Sequence, residues 1–418
     1  MKKILFSLLL FTHLGLQSKA QCTVTEISTL DNNNSTSNVS AQIDGGNIVW
    51  YGVDPETATN QIYLYDGSTV TEISTLDNNN STSNVSAQID GNNIAWRGGD
   101  QIYLYDGSTV TEISTLDNNN TIFNSPPQIE GGNIVWMGVD PVNFATDIYL
   151  YDGNTVTKVS TLDNNNSISN SNPQIDGGNI VWHGFDPETA TNQIYLYDGS
   201  TVTEISTLDN NNSTNNVGAQ IDGNNIAWRG GDQIYLYDGS TVTEISTLDN
   251  NNSTNNTDPQ IDGDNIVWNG LDPETTTTQI YLYDGSTVTE ISTLDNNNST
   301  SNTDPQIDGD NIVWNGVDPM SAFFDVYLYD GNTITKISTL DNNNSTNNSD
   351  PQIEGGNIVW FGQDPETATG QIYLANCPSI APVADMPAEE LPLMSLGYFA
   401  LLGLLVLGIG SVGVRSLF

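Results

Sequence analysis

All-β structure is what this sequence predicts, on three observations. One tryptophan follows an Ile-Val or Ile-Ala pair at 50, 96, 136, 182, 228, 268, 314 and 360, so a unit of 46 residues, or 40 where a loop is shortened, recurs eight times. A period of this size, in units too small to hold a core alone, marks a stacked or circular repeat. Short apolar runs alternate with Gly, Asn, Thr and Asp in a chain only 36% hydrophobic, and no long helical pattern precedes residue 391. Finally, the repeat is cut into complementary pieces: a lone fourth strand at Thr23 to Ser28, and three strands without a fourth at Gln352 to Leu374. Joining them completes one unit and removes two exposed sheet edges. The expectation is an eight-bladed β-propeller of four-stranded blades, its ring closed by the N-terminal strand in the last blade, plus a C-terminal transmembrane helix.

In chain order, Lys2 and Lys3 precede an apolar run from Ile4 to Leu16 and the small residues Ser18 and Ala20. These are the three parts of a secretory signal peptide, read here as 1–20. The propeller is assigned to 21–378, a linker to 379–392, a transmembrane or sorting helix to 393–414 and a cytoplasmic basic tail to 415–418.

Within a repeat, Gln42-Ile43-Asp44 reads as strand a, usually preceded by proline, and Asp44-Gly45 as a tight turn. Asn47 to Trp50 is strand b and Gln61 to Asp66 strand c, both apolar on two faces as in a sheet packed between neighbours. Asp66-Gly67-Ser68 turns the chain into strand d, Thr69 to Ser74, whose Glu72 suits a wet outer edge. The short turns then share one face of the ring. The d to a and b to c connections open on the other, the expected long-loop binding face.

Aligning the last repeat on the first puts Cys377 at the place of Gly67 and Cys22 at that of Ser68, neighbours in one turn. A Cys22 to Cys377 disulfide is therefore expected to replace the missing covalent turn, in a compartment that permits it.

The pattern Pro-Gln-Ile-Asp-Gly-Xaa-Asn-Ile-Val-Trp with Ile-Tyr-Leu-Tyr-Asp-Gly, recurring over residues 23 to 376, resembles the repeats of TolB-type β-propellers of secreted and surface prokaryotic proteins. That resemblance implies architecture and no single activity. Pro-containing residues 390–397, the apolar run Leu393 to Val414 and Arg415 resemble a three-part sorting signal of bacterial surface proteins. The run would make a helix of roughly 33 Å, enough for a bilayer core of about 30 Å, with the propeller outside.

Two sets of residues are candidate sites. The residue after each tryptophan varies while its neighbours barely do: Tyr51, Arg97, Met137, His183, Arg229, Asn269, Asn315 and Phe361. With Phe144, Phe323 and Phe324 in the b to c loops of blades three and seven, these are the expected ligand-binding residues. Asp31, Asp77, Asp117, Asp163, Asp209, Asp249, Asp295 and Asp341 open Asn-rich loops in which Asp31, Asn33 and Ser35 alternate as calcium ligands do. The competing reading is that such residues cap their own backbone.

A formal charge of -43 sets the repeats against nucleic acid and anionic lipid. No cofactor beyond calcium is implied, and one histidine in the mature chain, with acids that track the turns, argues against an enzyme. The expected function is an exported, cell-surface or periplasmic, membrane-anchored monomeric ring, a non-catalytic binding, adhesion or envelope-scaffold module for a protein or carbohydrate. The alternatives are a calcium-dependent structural surface protein and a secreted carbohydrate-active enzyme.

Overall fold

Each repeat folds into one antiparallel sheet whose strands follow chain order. In blade one, strand a is Thr36–Asp44, b Asn47–Asp54, c Thr59–Tyr65 and d Val70–Glu72. The structure, a computed structural model, describes residues 22–76, 83–116, 121–162, 166–208, 215–340 and 343–378, and within them there are eight such four-stranded sheets. Blade eight joins Thr346–Glu354, Asn357–Gln363 and Gly370–Asn376 to the N-terminal strand Thr23–Glu26, with Thr23 opposite Asn376 and Glu26 opposite Tyr373. A Cys22–Cys377 disulfide stands beside that pairing, as expected.

Strand a of every blade lies against strand a of both neighbours, blade eight against blade one included, so these eight strands encircle an axis and the d strands form the rim. The a to b turns add a belt of hydrogen bonds. A turn glycine donates its N–H to the carboxylate ending strand a of the preceding blade: Gly91 to Asp44, Gly263 to Asp222 at 2.5 Å, Gly355 to Asp308 at 2.8 Å, and across the closure Gly45 to Glu354 at 2.9 Å. Gly45 holds φ at 57°, which its lack of a side chain makes cheap.

The core lies between blades. Trp50 and Tyr63 pack back onto Val359 and Ile372 of blade eight, whereas Val49 and Ile62, on the opposite face, pack forward onto Trp96 and Tyr103 of blade two. Each tryptophan is fully buried and stacked on the strand c tyrosine, with centroids 6.0 Å apart in blade one. By area, one such indole contributes about 4–6 kcal/mol at most.

The strands depart from the expected boundaries in two places. Strand a starts about six residues early and runs through its proline, with register shifts between Thr36 and Val39 and between Val39 and Gln42. An innermost strand leaves one edge unpaired, so a missing N–H costs nothing there. The b to c connection is not long, because the ladder extends to Asp54 opposite Thr59. The turn between is capped by the Asp54 carboxylate, which accepts from Glu56 N at 2.9 Å and Thr57 Oγ1 at 2.7 Å. Blades two and five close the same hairpin with two residues, Gly99-Asp100 and Gly231-Asp232. Of the two connections assigned to the long-loop face, only d to a is long.

Among the described residues no helix is long and apolar enough to cross a membrane. The expected signal peptide, linker, transmembrane helix and basic tail lie outside the described residues.

Candidate functional site

The innermost strand is where the blades differ in chemistry. A buried asparagine, Asn38 in blade one, accepts the Trp50 indole N–H at 3.0 Å and donates to Gln371 Oε1 of the preceding blade at 2.9 Å. The same indole bond recurs in every blade except the third. Two residues beyond this asparagine the chain takes a left-handed conformation: Ser40, Ser86, Asn172, Gly218, Asp258, Asp304 and Asp350 have φ between 51° and 66°. A residue of this kind inserts a bulge and re-aims its side chain. Here it lies on the strand that borders the axis. In blade three the position is Pro126, whose ring forbids positive φ. There the regular strand is Gln128–Glu130, residues 122–125 pair with strand b through Ile122 N to Val139 O, Val139 N to Phe123 O and Ser125 N to Met137 O, and Trp136 Nε1 is buried without a partner.

The residues after each tryptophan stand behind this bulge, in the seams between blades. Asn315, only 2% exposed, donates to Asp304 Oδ2 at 2.8 Å. Asn269, 7% exposed, does the same for Asp258: in the amide orientation that satisfies both ends it accepts from Thr257 Oγ1 at 2.8 Å and donates to Asp258 Oδ2 at 3.2 Å. His183 Nε2 meets Ser171 Oγ at 2.8 Å, and Phe361 covers Gly370 on strand c. Tyr51 and Met137 pack half-buried against the following blades. The positions expected to form an open surface are thus largely a supporting layer.

The two arginines have different surroundings. Arg97 lies over the Phe123 ring, 5.6 Å from its centroid, with Nε buried and unpartnered. Arg229 Nε donates to Gly231 O at 2.7 Å, and its outer nitrogen is 3.6 Å from the exposed Asp232. Phe144, 72% exposed, and Phe323 and Phe324 are solvent-facing in blades three and seven, joined by Val142 and by Met320 at 91%.

Among the carboxylates, Asp350 stands within the ring's inner walls. Burial first, and the Asp304 charge second, push its carboxyl above the ordinary value. His183 is pushed below its ordinary value by burial. Ser171 and His183 supply two members of a nucleophile–base–orienter set, but Nδ1 of His183 has no partner to fix its tautomer.

The Asn-rich loops turn their polar groups inward. Asn33 Nδ2 donates to Ser28 O at 2.7 Å and to Ser35 Oγ at 2.9 Å, and Ser35 Oγ donates to Asn38 Oδ1 at 2.7 Å. Asp31, Asp249 and Asp295 accept strand d amides, from Val70, Val288 and Ile334 at 2.8–2.9 Å. Asp77, Asp117, Asp163, Asp209 and Asp341 lie outside the described residues. No group of three or more His, Cys, Asp or Glu gathers as a metal site among the described residues.

Two features escaped the sequence reading. The bulge residue was legible as a position varying through Ser, Pro, Asn, Gly and Asp beside an invariant asparagine. The other is a paired exchange. Tyr63 Oη donates to Glu72 and Ser74 Oγ to Gln61 in blade one, but blades three and seven replace the Glu by Lys158 or Lys336 and the Gln by Asp147 or Asp325. Lys158 Nζ is 2.7 Å from Asp147, and Lys336 Nζ is 2.7 Å from Asp318 and 3.1 Å from Asp325. Burial alone would lower both lysines, yet these carboxylates hold them above the ordinary value.

No protein-family model matches the chain, and no curated protein matches it in sequence. Among solved structures it is similar to the computationally designed Ika8 protein, over 81% of this chain and 96% of that one, with TM-score 0.54 and 10% identity. Matches also include the β-propeller domain of the Trilobed protease from Pyrococcus furiosus (74% and 98%, TM-score 0.48, 12% identity) and AztD from Citrobacter koseri (72% and 85%, TM-score 0.41, 10% identity). At such identities a likeness is one of fold alone.

Proposed function

We propose that this chain is an exported, surface-displayed β-propeller that binds a ligand at the axial mouth on its long-loop side and performs no chemistry on it. The observation that carries the reading is where the variation falls. Eight blades keep the same Trp, Asn and Gly framework, yet the bulge residue and the residue after tryptophan change in charge, size and polarity from blade to blade. In Asp258–Asn269 and Asp304–Asn315 the two positions are directly bonded. Drift on a solvated surface would leave such partners uncorrelated.

Export and display rest on the signal-like start, the TolB-type resemblance of the repeats and the sorting-signal-like tail. The disulfide agrees with an oxidising compartment. The test is a binding screen of the detergent-solubilised full chain against glycans and envelope fractions, with and without calcium. A ligand whose affinity falls at least tenfold on Asp304→Ser, and which is released unaltered, supports the reading. Turnover of a bound glycan, or binding insensitive to every inner-strand change, removes it.

A further inference from the structure

We propose that the seam between blades five and six is a site for a small zwitterion, a molecule carrying one carboxylate and one ammonium group. The inference rests on, and sharpens, the axial-mouth reading. A cavity of about 350 Å³ opens there, with Gly218 and Arg229 of blade five on one wall and Asp258 of blade six on the other. Gly218, the one bulge position without a side chain, lines it, and a Cβ there would meet no atom within 4 Å.

The opposed charges do not neutralise each other. Arg229 has its ion pair with Asp232, at 3.6 Å, and Asp258 is not within ion-pair reach of it. Asp258 is nevertheless aimed, since Asn269 donates to Oδ2 and leaves Oδ1 to accept. Nor does conformation demand aspartate, because serine, asparagine and glycine hold the same backbone in other blades. Its charge is the property left to explain.

Arg97 supplies the internal control. It occupies the equivalent place in blade two, but Phe123 lies against its guanidinium, whereas Arg229 faces the cavity. Of the four basic side chains among the described residues, Lys158 and Lys336 are held by carboxylates. A guanidinium binds a carboxylate in two parallel bonds, and a carboxylate accepts an ammonium. The amides of Gln220 and Gln260 flank the pair, and Pro259 offers an apolar wall. The overall charge of -43 repels a simple anion, and a simple cation would be held by acids anywhere on the ring. A neutral molecule with separated charges escapes both and matches the charge pair lining this cavity.

The test is calorimetric titration of the full chain with glycine, 4-aminobutyrate and 6-aminohexanoate as rulers of charge separation, and with hexanoate and hexylamine as singly charged controls. One ruler should bind at least tenfold tighter than either control. Arg229→Gln and Asp258→Asn should each weaken it tenfold or more, consistent with loss of a charge-assisted bond. Gly218→Ser, which restores the blade-one residue, should abolish binding with melting unchanged, and Arg97→Gln should leave affinity within twofold. Equal affinity for rulers and controls, no binding, or equal losses from the two arginine changes would overturn the site. Envelope binding that survives Arg229→Gln but falls on Asp304→Ser would remove this site and keep the broader function.

Discussion

Replacing Cys22 and Cys377 by serine tests the ring closure directly. The bridge spans 355 residues, for which the chain-entropy relation gives about 6 kcal/mol, while measured bridges mostly contribute about 2–4 kcal/mol. The lower range applies here, because the N-terminal strand keeps its own contacts after the bridge is gone. Thr23–Glu26 still pairs with the last strand, Ile27 N still donates to Ile372 O at 2.9 Å, Ile27 stays buried, and Ser28 Oγ still reaches Gln371 at 2.6 Å. With an unfolding entropy near 0.7 kcal/mol per kelvin for a ring of this size, a loss of 2–4 kcal/mol lowers Tm by about 3–6 °C. Scanning calorimetry measures the shift, and hydrogen exchange locates it. Protection should fall first at Val24 to Ile27 and at their partners Ile372 to Ala375, with blade four unchanged. A variant that melts within 1 °C of the parent, or that gains exchange evenly around the ring, refutes the idea that the closure is the ring's weakest seam.

Three further outcomes follow from the same structure. Gly184→Ala places a methyl carbon 2.3 Å from Asn170 Oδ1, an oxygen already bonded to Trp182, so urea denaturation should show a loss of about 1–3 kcal/mol; an unchanged midpoint would mean the asparagine is free to move. Lys158→Glu leaves Asp147 facing a second negative charge and should cost about 1–3 kcal/mol, a partly exposed pair losing less than a buried one. Adding Asp147→Gln rebuilds the blade-one pattern, and a double-mutant cycle should return most of the loss. Acid stability should fall between about pH 4 and pH 2: amides of the following turn, Thr69 N first, hold Asp66 at about 2, as Thr109, Thr241 and Thr287 do for Asp106, Asp238 and Asp284. A carboxyl depressed below its unfolded value stabilises above that value and loses its contribution as pH drops through the folded one. Glu354, raised mainly by burial, has the opposite sign and adds stability on mild acidification from neutral pH. A melting temperature flat from pH 4 to 2 would contradict the turn assignment.

The architecture was readable because it is enforced by repetition and by apolar pattern. Eight tryptophans at a fixed period, two-faced strands and complementary chain ends leave little freedom in how blades pack, and the cysteine positions follow from the same alignment. Strand a was misread for a physical reason. Its two bulges break the alternation on which strand reading depends, and the left-handed residues that make them are serine, asparagine and aspartate, which otherwise mark loops. The same cause hid the candidate site. Variation after tryptophan was visible, but which side chain stands forward depends on the bulge, and only coordinates show Asn269 and Asn315 behind Asp258 and Asp304.

That layering bears on how such a ring acquires a specific ligand site. A repeat copied eight times presents eight equal seams, and equal seams favour no single small ligand position. Asymmetry has to enter where it does not disturb the inter-blade core, which the Asn38–Gln371 and Trp50–Asn38 bonds make intolerant of change. The bulge position meets that requirement, since its backbone is left-handed with any of four residue types and its side chain borders the axis rather than the core. Pro126 marks the limit of this freedom: there the left-handed residue is gone, the regular strand is confined to Gln128–Glu130 although Ile122 and Ser125 still donate to Val139 O and Met137 O, and the Trp136 indole N–H is unpaired. The chemistry of the axial mouth can therefore vary from blade to blade only so far as residue 126 and its seven equivalents keep the bulge, and blade three shows the structural cost of abandoning it.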